Sequence, residues 1–237
     1  MSEILSIVND GIRLIQNQNG LKFGTDALLL AAFIRRAPRA EAVEIGPGSG
    51  IISLLLASRG KINHITAVEV QPYYADLTAR NAAENGLSDR ITSVCGDIRD
   101  YGCSADIVFT NPPYMRAESG KNNPDEGKYI ARHEVKGTIG ELCSAAGRLL
   151  QTGGRFYCVY RPERLPDLLD AMRQAKIQPK RLCFVHSDTV HPPSLFLIGG
   201  IKDGKPGCDV TRPLFLAHDG GPTAEAQHIY DTGDWFE

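Results

Sequence analysis

The sequence has no long hydrophobic run and no order of residues typical of a secretory leader. Its apolar run Ala27 to Ile34 is far shorter than the roughly 20 residues that a membrane-spanning helix needs. Met1 to Gly11 lacks the succession of basic, apolar and small residues that marks a signal peptide. We therefore expect a cytoplasmic protein without a membrane partner.

The sequence also lacks clustered cysteines and a strong net charge. Its six cysteines are separated by 8, 40, 15, 25 and 25 positions, so neither a CxxC pair nor a Cys/His knuckle occurs, and the six histidines show no ligand spacing. This pattern predicts reduced thiols and no metal site. A net charge of −2 argues against a strongly cationic nucleic-acid-binding protein, but it leaves local basic patches open.

Apolar segments of strand length alternate with segments of helical period from about residue 42 onward. This alternation is typical of βαβ units and predicts an α/β protein with a largely parallel sheet. The predicted strands are 42–45, 65–70, 91–95, 107–111, 155–160, 182–186 and 194–201, and the predicted helices are 26–34, 51–58, 72–85, 138–150 and 163–175. We expect Thr25 or Asp26 to cap the first helix.

A glycine-rich turn follows the first predicted strand, where Gly46, Gly48 and Gly50 alternate with Pro47 and Ser49. Glycines there permit a tight turn and a close approach of the backbone to a nucleotide cofactor, although a purely structural turn is the alternative. The spacing is GxGxG, unlike the GxGxxG of dinucleotide-binding proteins. Glu69 ends the next strand, 23 positions after Gly46, where an acid can bind ribose hydroxyls or remain a solvated carboxylate.

The tetrapeptide Asn111-Pro112-Pro113-Tyr114 ends a further predicted strand. The Asn111 side-chain oxygen and a proline carbonyl would provide two acceptors for the N–H groups of a planar amino nitrogen, whose delocalised lone pair is a poor nucleophile. Tyr114 would offer a face on which an extruded base can stack. Catalysis would then depend on positioning and charge stabilisation more than on a strong base, unless the tetrapeptide is only a proline-rich turn.

Taken together, the glycine turn, the strand-end acids and the tetrapeptide resemble class I S-adenosylmethionine-dependent methyltransferases. The resemblance implies a Rossmann-like α/β fold with a seven-stranded, mostly parallel sheet and helices on both faces. It implies S-adenosylmethionine as cofactor and S-adenosylhomocysteine as product, with the glycines at the methionine part, Glu69 at the ribose and Asp97 at the adenine amino group. The remaining residues that it assigns to the cofactor are Asp26, Glu44, Val70, Ile98 and Asn111. Asp26 as a plain helix cap is the alternative.

The tetrapeptide itself resembles motif IV of methyltransferases that act on adenine, cytosine, guanine or glutamine amino nitrogens. Further segments resemble the bacterial tRNA1(Val) (adenine-N6)-methyltransferase family, namely 10–11, 15–17, 23–31, 131–134, 160–165, 179–182 and 200–207. That family methylates N6 of adenosine 37, beside the anticodon. The resemblance implies one domain over 1–237, with a helical lead-in (1–40), a catalytic core (41–205) and an extended acidic tail (206–237). The release-factor glutamine methyltransferases differ by an extra helical domain.

The distribution of charge fits an RNA partner better than the total charge does. From Arg148 to Lys205 there are ten basic residues against five acids, and from Cys208 onward there are six acids against one arginine. The basic stretch could follow tRNA phosphates, or it could simply be solvated. We expect the substrate to contact residues in three places: motif IV, the segment that follows it, and residues 161–164. These residues are Tyr114, Lys121, Lys128, Arg132, His133, Arg161 and Arg164.

Several alternatives stay open at this point. An internal Arg–Glu pair is the alternative for the 161–164 segment, and the loop 115–132 could close over the base or lack order without RNA. The partner would be the anticodon stem-loop of tRNA, bound by a monomer or a homodimer. The same chemistry could instead act on ribosomal RNA, DNA, a small molecule or a protein glutamine, and a non-catalytic nucleotide- or RNA-binding module is a third hypothesis.

Overall fold

The structure is a computed structural model that describes residues 3–8, 11–18, 24–112 and 138–236. The strands are β1 (Glu3–Val8), β2 (Ile12–Asn17), β3 (Ala37–Ile45), β4 (Ile62–Glu69), β5 (Ile91–Cys95), β6 (Ala105–Thr110), β7 (Leu150–Tyr160), β8 (Ile177–His186), β9 (Pro193–Lys202), β10 (Asp209–Val210), β11 (Leu214–Phe215), β12 (Ala217–His218) and β13 (Gly221–Pro222). The helices are α1 (Thr25–Phe33), α2 (Ile51–Ser58), α3 (Pro72–Glu84), α4 (Ile139–Leu149), α5 (Leu165–Gln174) and α6 (Ala224–Thr232), and a 3₁₀ helix covers Pro162–Arg164. Within these ranges, no helix is both long and apolar enough to cross a membrane.

The central sheet confirms the predicted α/β class. Its strands lie in the order β10-β8-β9-β7-β6-β3-β4-β5, and β11 also pairs with β8. The neighbouring pairs from β7 to β5 are parallel, whereas β9 runs antiparallel to both β7 and β8. The seven predicted strands are all present, and the two-residue strands β10 and β11 extend the sheet beyond them.

Alternate residues of the central strands enter two separate hydrophobic cores, one on each face of the sheet. In β6, Ile107 and Phe109 belong to the core that contains α1 and α2, whereas Val108 belongs to the core that contains α4 and α5. All three side chains are at most 1% exposed. A strand that is covered on both faces reads as a continuous apolar run, which is why these strands stand out in the sequence.

The N-terminal segment differs from the helical lead-in that we predicted, because it begins with an antiparallel hairpin of β1 and β2. Asn81 of α3 and Asn85, which caps the C-terminus of α3, lie four residues apart and bond two residues of β2, Ile15 and Arg13. Asn81 accepts from the Ile15 N–H at 2.8 Å and donates to the Ile15 carbonyl at 3.0 Å, and Asn85 bonds Arg13 in the same way at 2.9 and 2.7 Å. The two amides thus satisfy the outer edge of β2 as a third strand would.

The segment after residue 206 is also more ordered than the extended tail that we predicted. Thr223 caps α6 by accepting the Ala226 N–H at 3.1 Å, and it donates to the Phe215 carbonyl at 2.6 Å. After α6 the chain returns to the core, where Trp235 packs edge-on against Phe33 with ring centres 5.0 Å apart. The apolar side chains of this segment therefore help to fix where it lies.

Candidate functional site

The sheet order brings the predicted motifs together at one edge. The strands β6, β3, β4 and β5 are neighbours in the sheet. Asn111 and Gly46 directly follow β6 and β3, Glu69 is the last residue of β4, and Asp97 lies two positions after β5. In open parallel sheets, ligands bind in the crevice outside these carboxyl ends. The four positions, distant in sequence, therefore form one candidate site.

The glycine turn provides space beside its backbone. Gly46, Gly48 and Gly50 all have positive φ, at 65°, 58° and 78°. A Cβ placed on Gly46 or Gly48 would meet no atom of the described residues within 4 Å, whereas one on Gly50 would lie 2.9 Å from the Thr78 side chain. The first two glycines thus leave room for a ligand beside the backbone, and the third allows α2 to pack close to α3.

Glu69 lies buried beneath this turn, with 5% exposure, which contradicts the alternative of a solvated carboxylate. Its two carboxylate oxygens accept the N–H groups of Gly48 at 3.3 Å and Gln71 at 3.0 Å. Burial raises the pKa of Glu69, and the backbone hydrogen bonds partly oppose that rise. The carboxylate therefore connects the glycine turn to the start of α3.

Glu44 also lies beneath the turn, with 1% exposure, and accepts a hydrogen bond from the Ser53 hydroxyl of α2. Burial raises the pKa of Glu44 to about 7, the Ser53 bonds lower it, and the nearby charge of Glu69 raises it further. This side chain supports the turn from the interior. Its predicted contact with the cofactor stays a prediction.

Asp97 is paired with an arginine of its own turn. Its carboxylate lies 2.6 Å from the Arg99 guanidinium, which also contacts Glu141 of α4 at 3.1 Å. Arg148 of α4 holds the turn by donating to the carbonyls of Ile98 at 2.8 Å and Arg99 at 3.1 Å. Binding of an adenine amino group to Asp97 would therefore compete with Arg99.

The two apolar residues predicted at the cofactor lie differently from each other. Val70 follows β4 and is 36% exposed, whereas Ile98 follows Asp97 and is 7% exposed. Val70 presents an apolar surface at the carboxyl edge, and Ile98 belongs to the core on the α4 and α5 face. Their predicted roles are not tested by this geometry.

The Asn111 amide is bonded to the first turn of α1. Its Nδ2 donates to Oδ2 of Asp26 at 3.0 Å, and Oδ1 of Asp26 accepts the Ala27 N–H at 2.9 Å. The N-cap of α1 is Gly24, without a side-chain cap bond, so the prediction that Thr25 or Asp26 is the N-cap was wrong by one or two residues. Pro112 is buried, and Pro113 and Tyr114 lie outside the described residues.

Five of the seven residues predicted to contact the substrate lie outside the described ranges, namely Tyr114, Lys121, Lys128, Arg132 and His133, together with the loop 115–132. The other two lie at the carboxyl end of β7, where Arg161 donates to the Ser194 carbonyl at 3.3 Å and Arg164 pairs with Asp167 at 3.1 Å. The Arg164 pair is with an aspartate one turn along α5 rather than with Glu163.

Several members of the basic stretch have partners inside the protein. Arg148 holds the turn after β5, and Lys202 donates to the Ala175 carbonyl at 3.0 Å. The guanidinium of Arg181 lies 4.3 Å from the centre of the Phe33 ring. The count of basic residues between 148 and 205 therefore overstates how many of them are available to contact phosphate.

Comparisons with known proteins agree with this geometry. A family model described as methyltransferase small domain matches residues 17–176. A tRNA1(Val) (adenine(37)-N6)-methyltransferase of a Flavobacteriaceae bacterium is 32% identical over 225 residues, which are 94% of each chain. The chain belongs to this family. The enzyme of the same name from Porphyromonas gingivalis is 32% identical over 159 residues, 62% of each chain.

A solved structure has the same fold as this member of the tRNA1(Val) (adenine(37)-N6)-methyltransferase family. A predicted O-methyltransferase from Agrobacterium tumefaciens superposes with a TM-score of 0.72 at 18% identity, covering 89% of this chain and 98% of that one. The class I methyltransferase fold predicted from the motifs is thereby confirmed.

Sequence reasoning missed the residues by which α3 supports the site of this family member. Thr78 donates to the Gly48 carbonyl at 3.0 Å, and Asn81 donates to the Ser49 carbonyl at 2.8 Å. Both side chains are at most 1% exposed, although they are polar. The signal was available, because the two residues lie three positions apart on the buried face of an amphipathic helix, where polar groups need a partner.

Proposed function

We propose that this protein transfers a methyl group from S-adenosylmethionine to N6 of adenosine 37 in tRNA1(Val). The observation that carries the proposal is the Asn111 amide, held at the carboxyl end of β6 beside the glycine turn after β3. Membership of the tRNA1(Val) (adenine(37)-N6)-methyltransferase family, with a relative matched over 94% of each chain, gives the substrate class.

The residues at the carboxyl edge fit the cofactor. S-adenosylmethionine, when bound, supplies a sulfonium methyl group, which a nitrogen lone pair attacks as the carbon–sulfur bond electrons return to sulfur. Among the described residues, no atom lies within 4 Å of a Cβ added to Gly46, Gly48 or Gly96, which leaves space for the cofactor. Glu69 is the last residue of β4, and Asp97 lies two positions after the neighbouring strand β5, so both carboxylates lie at the same edge of the sheet as the glycine turn.

Asn111 would orient the target nitrogen. Its side-chain oxygen accepts an N–H of the adenine amino group, and a carbonyl of the two prolines that follow accepts the other. Two such bonds favour a nitrogen whose lone pair faces the methyl group, so that the bond-forming atoms are held in line. They also stabilise the positive charge that develops on nitrogen before a proton leaves to water.

The anticodon stem-loop is the part of the tRNA that we place at this edge, with Arg161 and Arg164 at its rim. Both arginines follow β7, and β6, the strand that ends at Asn111, is its neighbour in the sheet. Phosphate contacts of this kind would make binding weaken as salt rises. We further place the reaction in the cytoplasm, where tRNA is found. The protein acts as a monomer or as a homodimer, and analytical sedimentation distinguishes the two.

Methyl transfer to defined transcripts tests the function directly. The protein is incubated with a labelled methyl donor and either tRNA1(Val) or the same transcript with adenosine 37 replaced, and the digested RNA is analysed by mass spectrometry. We expect N6-methyladenosine only with the natural transcript. Equal labelling of both transcripts would overturn the site assignment, and no labelling of either would overturn the substrate.

Replacing Asn111 tests the site within the same assay. We expect Asn111→Ala to lower the rate by at least about a hundredfold, as removal of one charge-stabilising group does in other enzymes. Asn63→Ala is the matched control, because Asn63 is an exposed asparagine at the start of β4 and should leave the rate unchanged. A fully active Asn111→Ala enzyme would show that this amide does not orient the nitrogen.

A further inference from the structure

We propose that Asp26 is a positioning residue that sets which end of the Asn111 amide faces the target nitrogen. The inference rests on the proposed function and deepens it. It also differs from the contact with the cofactor that resemblance assigned to Asp26. The observation behind it is the bond from Asn111 Nδ2 to Asp26 Oδ2 at 3.0 Å.

An asparagine amide has a donor end and an acceptor end of nearly the same shape. Only the oxygen end suits an amino group that must be held by its N–H bonds. A carboxylate accepts hydrogen bonds and does not donate them, so a carboxylate at Asp26 favours the amide nitrogen on its own side. The Asn111 Oδ1 then points away from Asp26. If the amide were turned over, Oδ1 would face the Asp26 carboxylate, and two acceptors would repel each other.

The Asp26 carboxylate is itself fixed in place. Its second oxygen accepts the Ala27 N–H at 2.9 Å, in the first turn of α1, where unpaired backbone N–H groups favour a negative charge. The helix behind it is rigidly packed, because five of its residues from Leu29 to Phe33 are at most 2% exposed. Because the helix is held in place by its buried residues, the Asp26 carboxylate can fix the orientation of the Asn111 amide.

Gly24 provides a second, independent observation. A Cβ at this position would lie 2.7 Å from Oδ1 of Asp26, so the carboxylate occupies the volume that a side chain at residue 24 would need. The backbone of Gly24 has φ of −111°, which any residue adopts. The absence of a side chain here therefore serves the position of the carboxylate and not the conformation of the chain.

The carboxylate also strengthens the acceptor. A negative charge bonded to the N–H of an amide polarises it and increases the partial negative charge on its oxygen. In the transition state the target nitrogen becomes cationic, and the more negative oxygen stabilises it. In the ground state the nitrogen is neutral, so the same oxygen stabilises it less. Such a difference between the ground state and the transition state accelerates the chemical step.

The experiment separates positioning from cofactor binding by measuring both in two variants. Asp26→Asn keeps the shape and removes the obligate acceptor, and Gly24→Ala displaces the carboxylate while keeping its charge. We expect the single-turnover rate of methyl transfer to fall about a hundredfold in Asp26→Asn and at least tenfold in Gly24→Ala, in line with the effect of misplacing a reacting group by 1 Å. The dissociation constant of S-adenosylhomocysteine, measured by calorimetry, should change by less than about threefold. Asp89→Asn, the same substitution at an exposed site, is the control.

A double variant tests whether Asp26 acts through Asn111. The combination of Asp26→Asn with Asn111→Ala should be no slower than Asn111→Ala alone, because the group that Asp26 orients is then gone. Multiplicative losses would overturn the proposal, as would a weakening of S-adenosylhomocysteine binding that matches the loss of rate. Unchanged rates in both Asp26→Asn and Gly24→Ala would overturn it as well.

One readout does not depend on turnover. In nitrogen-15 spectra of the protein, assigned with Asn111→Ala, the Asn111 side-chain NH₂ should show one hydrogen shifted by its bond to the carboxylate, and Asp26→Asn should remove this shift. A spectrum that Asp26→Asn leaves unchanged would overturn the proposal. If the bond is present and tRNA is not methylated, the proposed function fails while the positioning of the amide stands.

Discussion

At the residue scale, the second glycine of the turn illustrates how one backbone position serves a ligand. Gly48 donates its N–H to Glu69, and Thr78 donates to its carbonyl, so the residue is held on both sides. Its φ of 58° is unfavourable for a side chain, and no atom in the part of the chain that the structure describes lies within 4 Å of a Cβ added to it. Strain and lost ligand space are thus separate consequences of adding a methyl group there.

A pair of substitutions separates these two consequences. We expect Gly48→Ala to destabilise the fold by about 1 to 2 kcal/mol, the cost of a side chain in the left-handed region, and to weaken S-adenosylhomocysteine binding at least tenfold. Gly86→Ala is the matched control, because Gly86 after α3 has φ of 65° and also has nothing within 4 Å of an added Cβ. It should lose similar stability and keep its affinity in calorimetry. Equal affinities of the two variants would show that Gly48 does not border the ligand.

At the scale of elements, α3 connects the N-terminal hairpin to the glycine turn. The Asn81 amide accepts from the Ile15 N–H and donates to the Ile15 and Ser49 carbonyls, with no exposed surface of its own. Asn85 makes the equivalent pair of bonds to Arg13 but is only half-buried. The two asparagines therefore allow a comparison of the same contact at different burial.

We expect Asn81→Ala to lower the free energy of unfolding by about 2 to 4 kcal/mol, because it leaves buried backbone groups of β2 and the turn without partners. It should also weaken S-adenosylhomocysteine binding, since Ser49 lies in the turn. Asn85→Ala should lose less stability, because water can replace its bonds, and should keep the affinity. Urea unfolding and calorimetry measure both quantities. An Asn85→Ala loss equal to that of Asn81→Ala would contradict the role of burial.

The same hairpin shows where prediction from sequence ends. The strands β3, β4, β6 and β7 were predictable because their carboxyl halves are largely buried and read as apolar runs, whereas β5 lies at the edge of the sheet with only Ile91 buried. In β1 the exposed side chains include Leu5 and Ile7, at 52% and 78%, so the segment lacks the alternation of polar and apolar residues that predicts a strand. The residues that bond the other strand, β2, are Asn81 and Asn85, 66 and 72 positions from their partners, and no local pattern contains them.

The site was predictable in its positions more than in its contacts. Gly46, Glu69, Asp97 and Asn111 follow from motif spacing and from the rule that ligands bind at the carboxyl ends of parallel strands. The pairing of Asp97 with Arg99 and the bond from Asn111 to Asp26 depend on side-chain geometry, since each residue had several candidate partners in the sequence.

At the scale of the whole molecule, Lys61 joins three distant segments. It is 2% exposed, and its Nζ donates to the carbonyls of Ala31 and Ala32 at the end of α1, at 3.0 and 3.1 Å. The same Nζ lies 3.5 Å from the Gly233 carbonyl and 3.5 Å from the Asp234 carboxylate after α6. The segment after α6 is thereby held against α1, the helix that carries Asp26 in its first turn.

Lys61 makes the stability of the molecule depend on pH in a direction that can be derived. Burial lowers the pKa of Lys61 to about 8 from 10.5, and the pairing with Asp234 opposes this change in part. Between these two values the unfolded chain binds more protons at this residue than the folded chain does. The free energy of unfolding must therefore rise with pH across this window by roughly 3 kcal/mol from this group.

We expect urea unfolding of the wild type from pH 7.5 to 10.5 to show this rise, superimposed on the titration of other groups. Lys61→Met should lack it, and at pH 7.5 it should also be less stable than the wild type, because the carbonyls of Ala31 and Ala32 lose a buried donor. Lys205→Met, at an exposed lysine, should keep the slope of the wild type. Identical slopes for the wild type and Lys61→Met would mean that Lys61 has the same pKa in the folded and the unfolded chain, in which case its contacts with the carbonyls and with Asp234 offset burial and the cation itself holds the segment after α6 in place.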